Sequence, residues 1–218
     1  DVIEYLERKA AEGDTIGFKI IIDAGIWYYG DNISFDYNYP IEIEGSGQGL
    51  TFLVYNATIK NTPFIEIKNS ISIKNICISG NGGVGVIKIT GAEILVNFES
   101  IILTDADSGI IVETGAEIFC YNYIMDNIKE HIKINAKNGD VLLNFEVGNH
   151  NDYDIAFNFL SGNNCDIFLN NIRFFLKDNL SVSIKYSTNM VCNNFFVINS
   201  SENLVGETTI VGINFKDT

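Results

Sequence analysis

The chain of 218 residues is long enough for one domain with a sizeable core. Hydrophobic residues make up 46% and charged residues 19%, which is too apolar for an intrinsically disordered chain, and no run approaches the roughly 18 apolar residues of a membrane-spanning helix. The formal net charge of −14 argues against nucleic-acid and anionic-lipid partners, because like charges repel.

Residues 1–14 are the first predicted element, a capping helix. Val2, Ile3, Leu6 and Ala10 recur at helical spacing, and Gly13 is a stop signal. Such a helix would cover the open end of a stack of strands, where unpaired backbone groups otherwise invite association. We expect residues 15–218 to complete the same single domain.

Short strands repeat through residues 15–218. Each has the pattern apolar, any residue, apolar, polar, as in Ile41-Glu-Ile-Glu44. Successive strands begin at Ile20, Ile41, Ile65, Ile87, Ile111, Ile132, Ile155 and Val182. The steps average about 23 residues, and a unit of this length with two or three strands and no helix predicts one turn of a parallel β-helix. We therefore predict an all-β, single-stranded parallel β-helix of about eight turns, right-handed because parallel crossovers prefer that hand.

A second strand recurs in each unit, as in Ala116-Glu-Ile-Phe-Cys-Tyr-Asn122. An asparagine follows it at steps of 22 to 26 residues, at Asn75, Asn97, Asn122, Asn144, Asn170 and Asn194. We expect these amides to turn inward and to form a structural hydrogen-bonded ladder along the stack.

Residues 1 to about 80 carry, in order, a helix ending Ala-Glu-Gly13, then Ile22-Asp-Ala-Gly-Ile-Trp-Tyr28, Ile41-Glu-Ile-Glu-Gly-Ser-Gly47 and Ile71-Ser-Ile-Lys-Asn-Ile-Cys-Ile-Ser-Gly80. This order resembles the pectate-lyase-like superfamily of right-handed β-helices, which includes polysaccharide lyases, polygalacturonases and viral tailspikes. The resemblance implies the scaffold and leaves the activity open, because folds of this kind host unrelated functions. The catalytic motifs of the enzymatic members are not matched.

Asp105, Asp107 and Asp126 form the best acidic cluster in the sequence. The segment Ile102-Leu-Thr-Asp105 aligns with Tyr123-Ile-Met-Asp126 of the next unit, which predicts two carboxylates about one strand spacing apart. Asp105 and Asp126 are therefore candidates for the carboxylate pair of a glycoside hydrolase. All three residues are also candidate Ca²⁺ ligands or solvated turn residues, and we expect no obligatory cofactor.

Arg173 and Lys177 lie four positions apart on one predicted strand and therefore share a face. They are candidates for binding uronate carboxylates, or they relieve the acidic surface. The resemblance makes Arg173 the candidate base of a lyase-like reaction, since Arg8, the other arginine, belongs to the cap.

Aromatic residues and one histidine complete the set of candidate substrate-binding residues. Tyr37 and Tyr39 lie beside Pro40, and we expect them to be exposed, whereas Trp27 is expected to pack in the core. His150 lies in a polar segment that we interpret as a loop, where it would bind a sugar or remain solvated. His131 is expected to be a turn residue.

The four cysteines Cys77, Cys120, Cys165 and Cys192 are widely spaced and flanked by apolar residues, which favours buried thiols. Taken together, the sequence favours an extracellular or virion-surface β-helical spike or adhesive module that binds polysaccharide or a cell-surface glycan. The alternatives are a polysaccharide lyase or glycoside hydrolase and a purely structural subunit of an assembly. The resemblance to tailspikes also implies a homotrimer.

Overall fold

The chain begins with one short helix and continues as strands. The computed structural model describes residues 2–13, 16–136, 138–151, 155–159, 167–170, 173–176, 183–186, 190–193, 196–199 and 214–217. The helix α1 spans Val2–Ala11. The strands are β1 Phe18–Ile22, β2 Gly25–Tyr29, β3 Ile33–Phe35, β4 Ile41–Gly45, β5 Thr51–Tyr55, β6 Ile65–Ile67, β7 Ile71–Gly83, β8 Ile87–Ile89, β9 Ile94–Val112, β10 Ala116–Ile134, β11 Val141–His150, β12 Ile155–Phe159, β13 Ile167–Asn170, β14 Arg173–Leu176, β15 Ser183–Tyr186, β16 Met190–Asn193, β17 Phe196–Asn199 and β18 Asn214–Asp217.

The strands of successive turns pair in parallel and form three sheets. The first sheet contains β1, β4, the N-terminal parts of β7, β9, β10 and β11, then β13 and β16. The second contains β2, β5, the following parts of β7, β9, β10 and β11, then β14 and β17. The third contains β3, β6, β8, the ends of β9 and β10, then β12, β15 and β18.

This arrangement is an all-β parallel β-solenoid with one short N-terminal helix, which is the fold class that the sequence predicts. The predicted count of eight turns is not confirmed. The right-handed sense stays a prediction.

The long strands bend at corners that contain residues with positive φ. The corner between the first and second sheets has Asn75, Ser100 and Asn122, at φ 59°, 52° and 52°. The corner between the second and third sheets has Asn81, Asp105 and Asn127, at φ 47°, 57° and 52°. Asn and Asp tolerate this left-handed conformation better than other residues with a side chain.

Each corner residue also shifts the alternation of the strand by one position. In β10, Ile118 and Cys120 point inward before Asn122, whereas Tyr123 and Met125 point inward after it. Two residues of the same parity can therefore face opposite environments if a corner separates them. This shift explains why a single period cannot describe a whole turn.

The core is a set of stacked aliphatic columns. In the third sheet, Ile65, Ile87, Ile110 and Ile132 are register partners and each is at most 1% exposed. Helix α1 closes part of the N-terminal end: Leu6 is 1% exposed, and the Tyr39 hydroxyl donates a hydrogen bond of 2.9 Å to the Leu6 carbonyl. The predicted helix is therefore present and packs on the first turn.

The predicted repeat aligns strands of different sheets in the first two turns. Ile41 pairs with Ile71 in the first sheet, and not with Ile65, whose partner in the preceding turn is Ile33 of the third sheet. The spacing from Ile33 to Ile65 is 32 residues, because the connections in these turns are longer. A chance spacing of 24 residues links Ile41 to Ile65 in the sequence.

The expected inward asparagine ladder is also wrong. Asn97 and Asn144 lie in one column of the first sheet and point outward, between buried neighbours on either side in the strand. Asn75 and Asn122 are corner residues, and the Asn122 amide donates a hydrogen bond of 2.9 Å to the Ser100 hydroxyl at the surface. Asn194 lies outside the described residues.

The connection between β4 and β5, residues 46–50, runs along the first corner across several turns. The Gly47 N–H donates to the Asn75 carbonyl at 3.0 Å. The Gln48 amide donates to the carbonyls of Ile101, at 3.4 Å, and Asn122, at 2.8 Å. Gly47 and Gln48 therefore link the β4 turn to the β7, β9 and β10 turns. We call residues 46–50 the Gln48 strap.

Replacement of Ile89 by alanine tests the core. Ile89 is fully buried in the third sheet, so the cavity should lower the free energy of unfolding by about 3 kcal/mol, measured by urea unfolding followed by circular dichroism. Ile59 is 72% exposed, and its replacement by alanine should change that free energy by less than about 0.5 kcal/mol. Equal effects of the two substitutions would contradict the assigned core.

Candidate functional site

The outer side of the first sheet carries two exposed aromatic rings. Phe119 is 37% and Tyr121 is 53% exposed on β10. Phe119 lies between Asn97 of β9 and Asn144 of β11, which are its register partners. We call Asn97, Phe119, Tyr121 and Asn144 the aromatic face.

The local sequence explains why these rings point to solvent. Ala116, Ile118 and Cys120 alternate with them and are at most 4% exposed, so they occupy the inward positions of this part of β10. The outward positions left over are those of Glu117 and the two rings. Exposed aromatic residues that adjoin one another often mark a binding surface.

Two shallow depressions lie along the same side of the solenoid. One, of about 590 Å³, is lined by Leu95, Glu117, Asp140 and Leu142 among others, and the second, of about 430 Å³, includes Leu95 and Asn97. Leu95 lines both, so the two depressions adjoin at this side chain. Both are open, and their walls combine aliphatic side chains with amide and carboxylate groups.

Charges are arranged unevenly on this side. At the N-terminal end, Lys19 bridges Glu42, at 2.9 Å, and Glu44, while Lys74 contacts Glu42 at 2.9 Å. The hydrogen bonds that Glu42 accepts from Lys74 and Lys19 lower its pKa, and the hydrogen bonds that Lys19 donates to Glu44 and Glu42 raise the pKa of Lys19.

Beside the rings the charge is negative. Glu99 and Glu146 are the register partners of Tyr121 on the two adjacent turns. Both are exposed. The aromatic face therefore presents apolar ring surface within an acidic border.

The predicted carboxylate pair is displaced by one residue. Thr104, and not Asp105, is the register partner of Asp126. Asp105 is instead a corner residue, whose carboxylate accepts hydrogen bonds from the Asn127 amide at 2.7 Å and the Ser79 hydroxyl at 3.2 Å. Asp107 contacts Lys129 at 2.6 Å. Asp105 and Asp107 thus have structural partners, and a catalytic or Ca²⁺-binding role for the three aspartates stays a prediction.

The predicted basic pair is only partly described. Arg173 is the first residue of β14, and its register partner is Phe196 of β17. Lys177 lies outside the described residues. Asp126 is on β10, which is separated from β14 by β11 in the second sheet. The roles predicted for Arg173 and Lys177 stay predictions.

The expected exposure of two tyrosines is wrong. Tyr37 and Tyr39 are 6% and 4% exposed, and their rings stack at a centroid distance of 5.4 Å. Tyr39 also packs against Phe18 and donates a hydrogen bond to a carbonyl of helix α1. The role in sugar binding predicted for Tyr37 and Tyr39 stays a prediction. Trp27, expected in the core, is 44% exposed on β2, which pairs with β5.

The expectation for the histidines is wrong as well. His150 is the last residue of β11 rather than a loop residue, and it is fully buried. His131 is a buried residue of β10 rather than a turn residue. The two side chains touch each other, so His150 is not available to a sugar at the surface.

The described cysteines fit the expectation of buried thiols. Cys77 and Cys120 are 5% and 2% exposed and have no disulfide partner. Burial raises the pKa of Cys77 to about 11 and that of Cys120 well above its usual value. Cys165 lies outside the described residues, and only the backbone of Cys192 is described, in β16.

Within the described residues, no group of three or more His, Cys, Asp or Glu side chains is placed to hold a metal ion. The same part of the chain contains no helix with the length and apolar character needed to cross a membrane.

Comparison with known proteins gives one similar structure. No protein-family model and no curated protein matches the chain. The solved structure of ORF18 of Geobacillus virus E2 is similar with a TM-score of 0.36 and 11% sequence identity, over 84% of this chain and 53% of that chain. The chain therefore spans about half the length of that structure. At this TM-score the likeness supports no argument about function.

The sequence did contain a signal for the aromatic face. In Ala116-Glu-Ile-Phe-Cys-Tyr-Asn122, Phe119 and Tyr121 lie two and four positions after Glu117, so all three side chains are on the same face of the strand. The charged Glu117 indicates that this face points to solvent. Phe and Tyr are also common strand residues, so the rings by themselves indicate only a strand.

Substitution of Asn127 tests the structural role of Asp105. Asn127→Ala removes the hydrogen bond to the Asp105 carboxylate and places an ordinary side chain at φ 52°, so the free energy of unfolding should fall by about 1–2 kcal/mol in urea unfolding. Asn127→Gly removes the same hydrogen bond but tolerates the backbone conformation, so its loss should be smaller. A larger loss for glycine than for alanine would contradict this account.

Proposed function

We propose that this chain is an extracellular or virion-surface β-helical adhesive module that binds a neutral glycan through the aromatic face. The observation that carries the proposal is the pair of exposed rings, Phe119 and Tyr121, next to the amides of Asn97 and Asn144. An aromatic ring offers a flat apolar surface against which the C–H face of a sugar ring can lie. The amides can donate to, and accept from, the hydroxyl groups at the edge of that sugar.

The charge around the rings supports a neutral ligand rather than an acidic one. Glu99, Glu117 and Glu146 point outward around Phe119 and Tyr121, and the chain as a whole has a net charge of −14. A uronate-rich polysaccharide would meet like charges there. A neutral glycan would not, and its hydroxyl groups could donate to the carboxylates.

The parallel stack of turns suits a spike or adhesive role. Each turn adds about 4.8 Å to a rod in which every strand is hydrogen-bonded to the next turn. A surface built on such strands holds its side chains in fixed positions. We further propose that the chain is a member of the pectate-lyase-like superfamily. We also propose that it assembles as a homotrimer, and a monomeric mass in solution would contradict the homotrimer.

Binding to immobilised polysaccharides tests the proposal. The chain should be retained by at least one neutral polymer among xylan, mannan, galactan and β-glucan, and not by polygalacturonate. Phe119→Ala and Tyr121→Ala should each weaken retention about tenfold, equivalent to about 1.4 kcal/mol, because each removes one ring surface.

Tyr28→Ala is the matched control. Tyr28 is 63% exposed on β2 of the second sheet, away from the aromatic face, so its loss should leave retention unchanged. Retention by none of the neutral polymers, or an equal loss in Tyr28→Ala, would contradict the proposal. Release of reducing ends or unsaturated products in the same assay would favour the lyase or hydrolase alternative.

A further inference from the structure

The two histidines of the chain meet in the core. The sequence contains only His131 and His150, and both are fully buried. They lie on successive turns, at the third-sheet end of β10 and at the end of β11. Any titration of histidine in this protein therefore takes place at one location.

A continuous hydrogen-bonded chain links three buried side chains. The Nδ1 atoms of His131 and His150 are 2.6 Å apart, and the His150 Nε2 atom is 2.9 Å from the Tyr123 hydroxyl. The Tyr123 ring occupies the space beside Gly148, where the ring would contact any β-carbon. Tyr123 of β10 thus reaches past its register partner on β11 to His150.

This contact requires that at least one of the two imidazoles is neutral. One Nδ1 must donate its hydrogen and the other must accept it, and each neutral ring has one donor and one acceptor nitrogen. If both rings were protonated, two N–H groups would face each other and two positive charges would lie within 2.6 Å in an apolar core. The contact between the two nitrogens would then be repulsive.

The elements around the pair offer little to stabilise charge. On β9, the residue opposite His131 is Gly109, which lies next to the buried Ser108. The register partners of His150 are Met125 on β10 and Leu176 on β14. The part of β12 opposite His131 is Ile155-Ala-Phe157, which has no ionisable residue.

The other ionisable groups near the pair on β10 and β11 have partners of their own, are buried and neutral, or are partly or fully exposed. Glu130, next to His131, accepts a hydrogen bond from Asn158 and pairs with Lys133. Cys120 is a buried neutral thiol, Asp126 follows Met125 at a partly exposed position, and Glu146 on β11 is exposed. Asp152 and Asp154 follow His150 in the sequence and lie outside the described residues.

Burial dominates the electrostatics of the pair. It lowers the pKa of His131 to about 3, against the opposing effect of a hydrogen bond with the Asn151 backbone. Burial, and then the proximity of His131, lower the pKa of His150 well below its usual value.

We propose that the His131–His150 contact is an acid-sensitive lock that helps to hold the β10 and β11 turns together at neutral pH and weakens as the pH falls below about 6.5. The opened turns expose both imidazoles to water, where they take up protons. The closed turns exclude those protons. Acid therefore favours the open form by mass action.

The sign and size of the effect follow from this linkage. The opened form binds more protons than the closed form below about pH 6.5, so the stability of the turns falls as the pH falls. Between pH 7.5 and 5.5, two histidines that titrate only in the open form raise the opening equilibrium constant about 100-fold, and one raises it about tenfold. The double variant described below separates the contribution of the two histidines from that of every other ionisable group.

Native-state hydrogen exchange of the full chain between pH 7.5 and 5.5, corrected for the intrinsic exchange rate, measures this constant. The protection of backbone amides in β10 and β11 should fall about 100-fold across the window, with a smaller fall in β4 and β5. A fall of less than about threefold in β10 and β11 would overturn the proposal. This measurement needs only the wild-type chain, so it decides even if a variant does not fold.

The double substitution His131→Gln, His150→Gln is the second measurement. Glutamine keeps a donor and an acceptor but does not titrate, so protection in β10 and β11 should become independent of pH in this window. The single substitution His131→Gln should leave a dependence of about tenfold. A folded double variant that retains the wild-type dependence would also overturn the proposal.

Discussion

The in-register hydrogen bonding of each turn to the next is the constraint on which the rest of this structure depends. It fixes the neighbours of every side chain as residues one turn earlier and one turn later, rather than residues nearby in the sequence. Asn97 and Asn144 flank Phe119 for this reason alone. The same constraint places two histidines that are 19 residues apart at hydrogen-bonding distance. Surface and core are therefore set by one register, and an error of a single residue in that register changes both.

The fold class and the capping helix could be predicted from the sequence because alternation and repeat spacing are local properties of the chain. The alternation of apolar and polar residues does not predict which side chains point inward once the strand passes a corner. Phe119, Tyr121 and Tyr123 have the same parity in β10, yet the corner residue Asn122 turns the third ring inward. The same cause displaced the expected pairing of Asp105 with Asp126, since no simple pattern shows where a strand bends. In the first two turns, the connections between strands differ in length, so the repeat spacing aligns strands that belong to different sheets.

The environment of the candidate site residues depended on contacts that are remote in the sequence. Tyr37 and Tyr39 are in a segment typical of a turn, but helix α1 and Phe18 cover Tyr39, and Tyr39 stacks on Tyr37. His150 is flanked by asparagines, which suggests a solvated loop, although Tyr123 and His131 enclose it. The aromatic face was missed for the opposite reason, because Phe and Tyr are common strand residues and look unremarkable without the register. Local sequence patterns therefore did not predict where a polar residue is buried or where an apolar residue is exposed.

The Gln48 strap has a mechanical consequence. A solenoid in which each turn touches only its neighbours behaves as a one-dimensional array, and such an array can fray from one end, turn by turn. The strap adds contacts between turns that are not adjacent, because Gln48 of the β4 turn binds carbonyls of the β9 and β10 turns. A force applied at the N-terminal end is therefore shared among these turns, and separation of the β4 turn from the β7 turn also requires the strap to detach from β9 and β10. Detachment of the first turns consequently breaks these hydrogen bonds in addition to the pairing between β4 and β7.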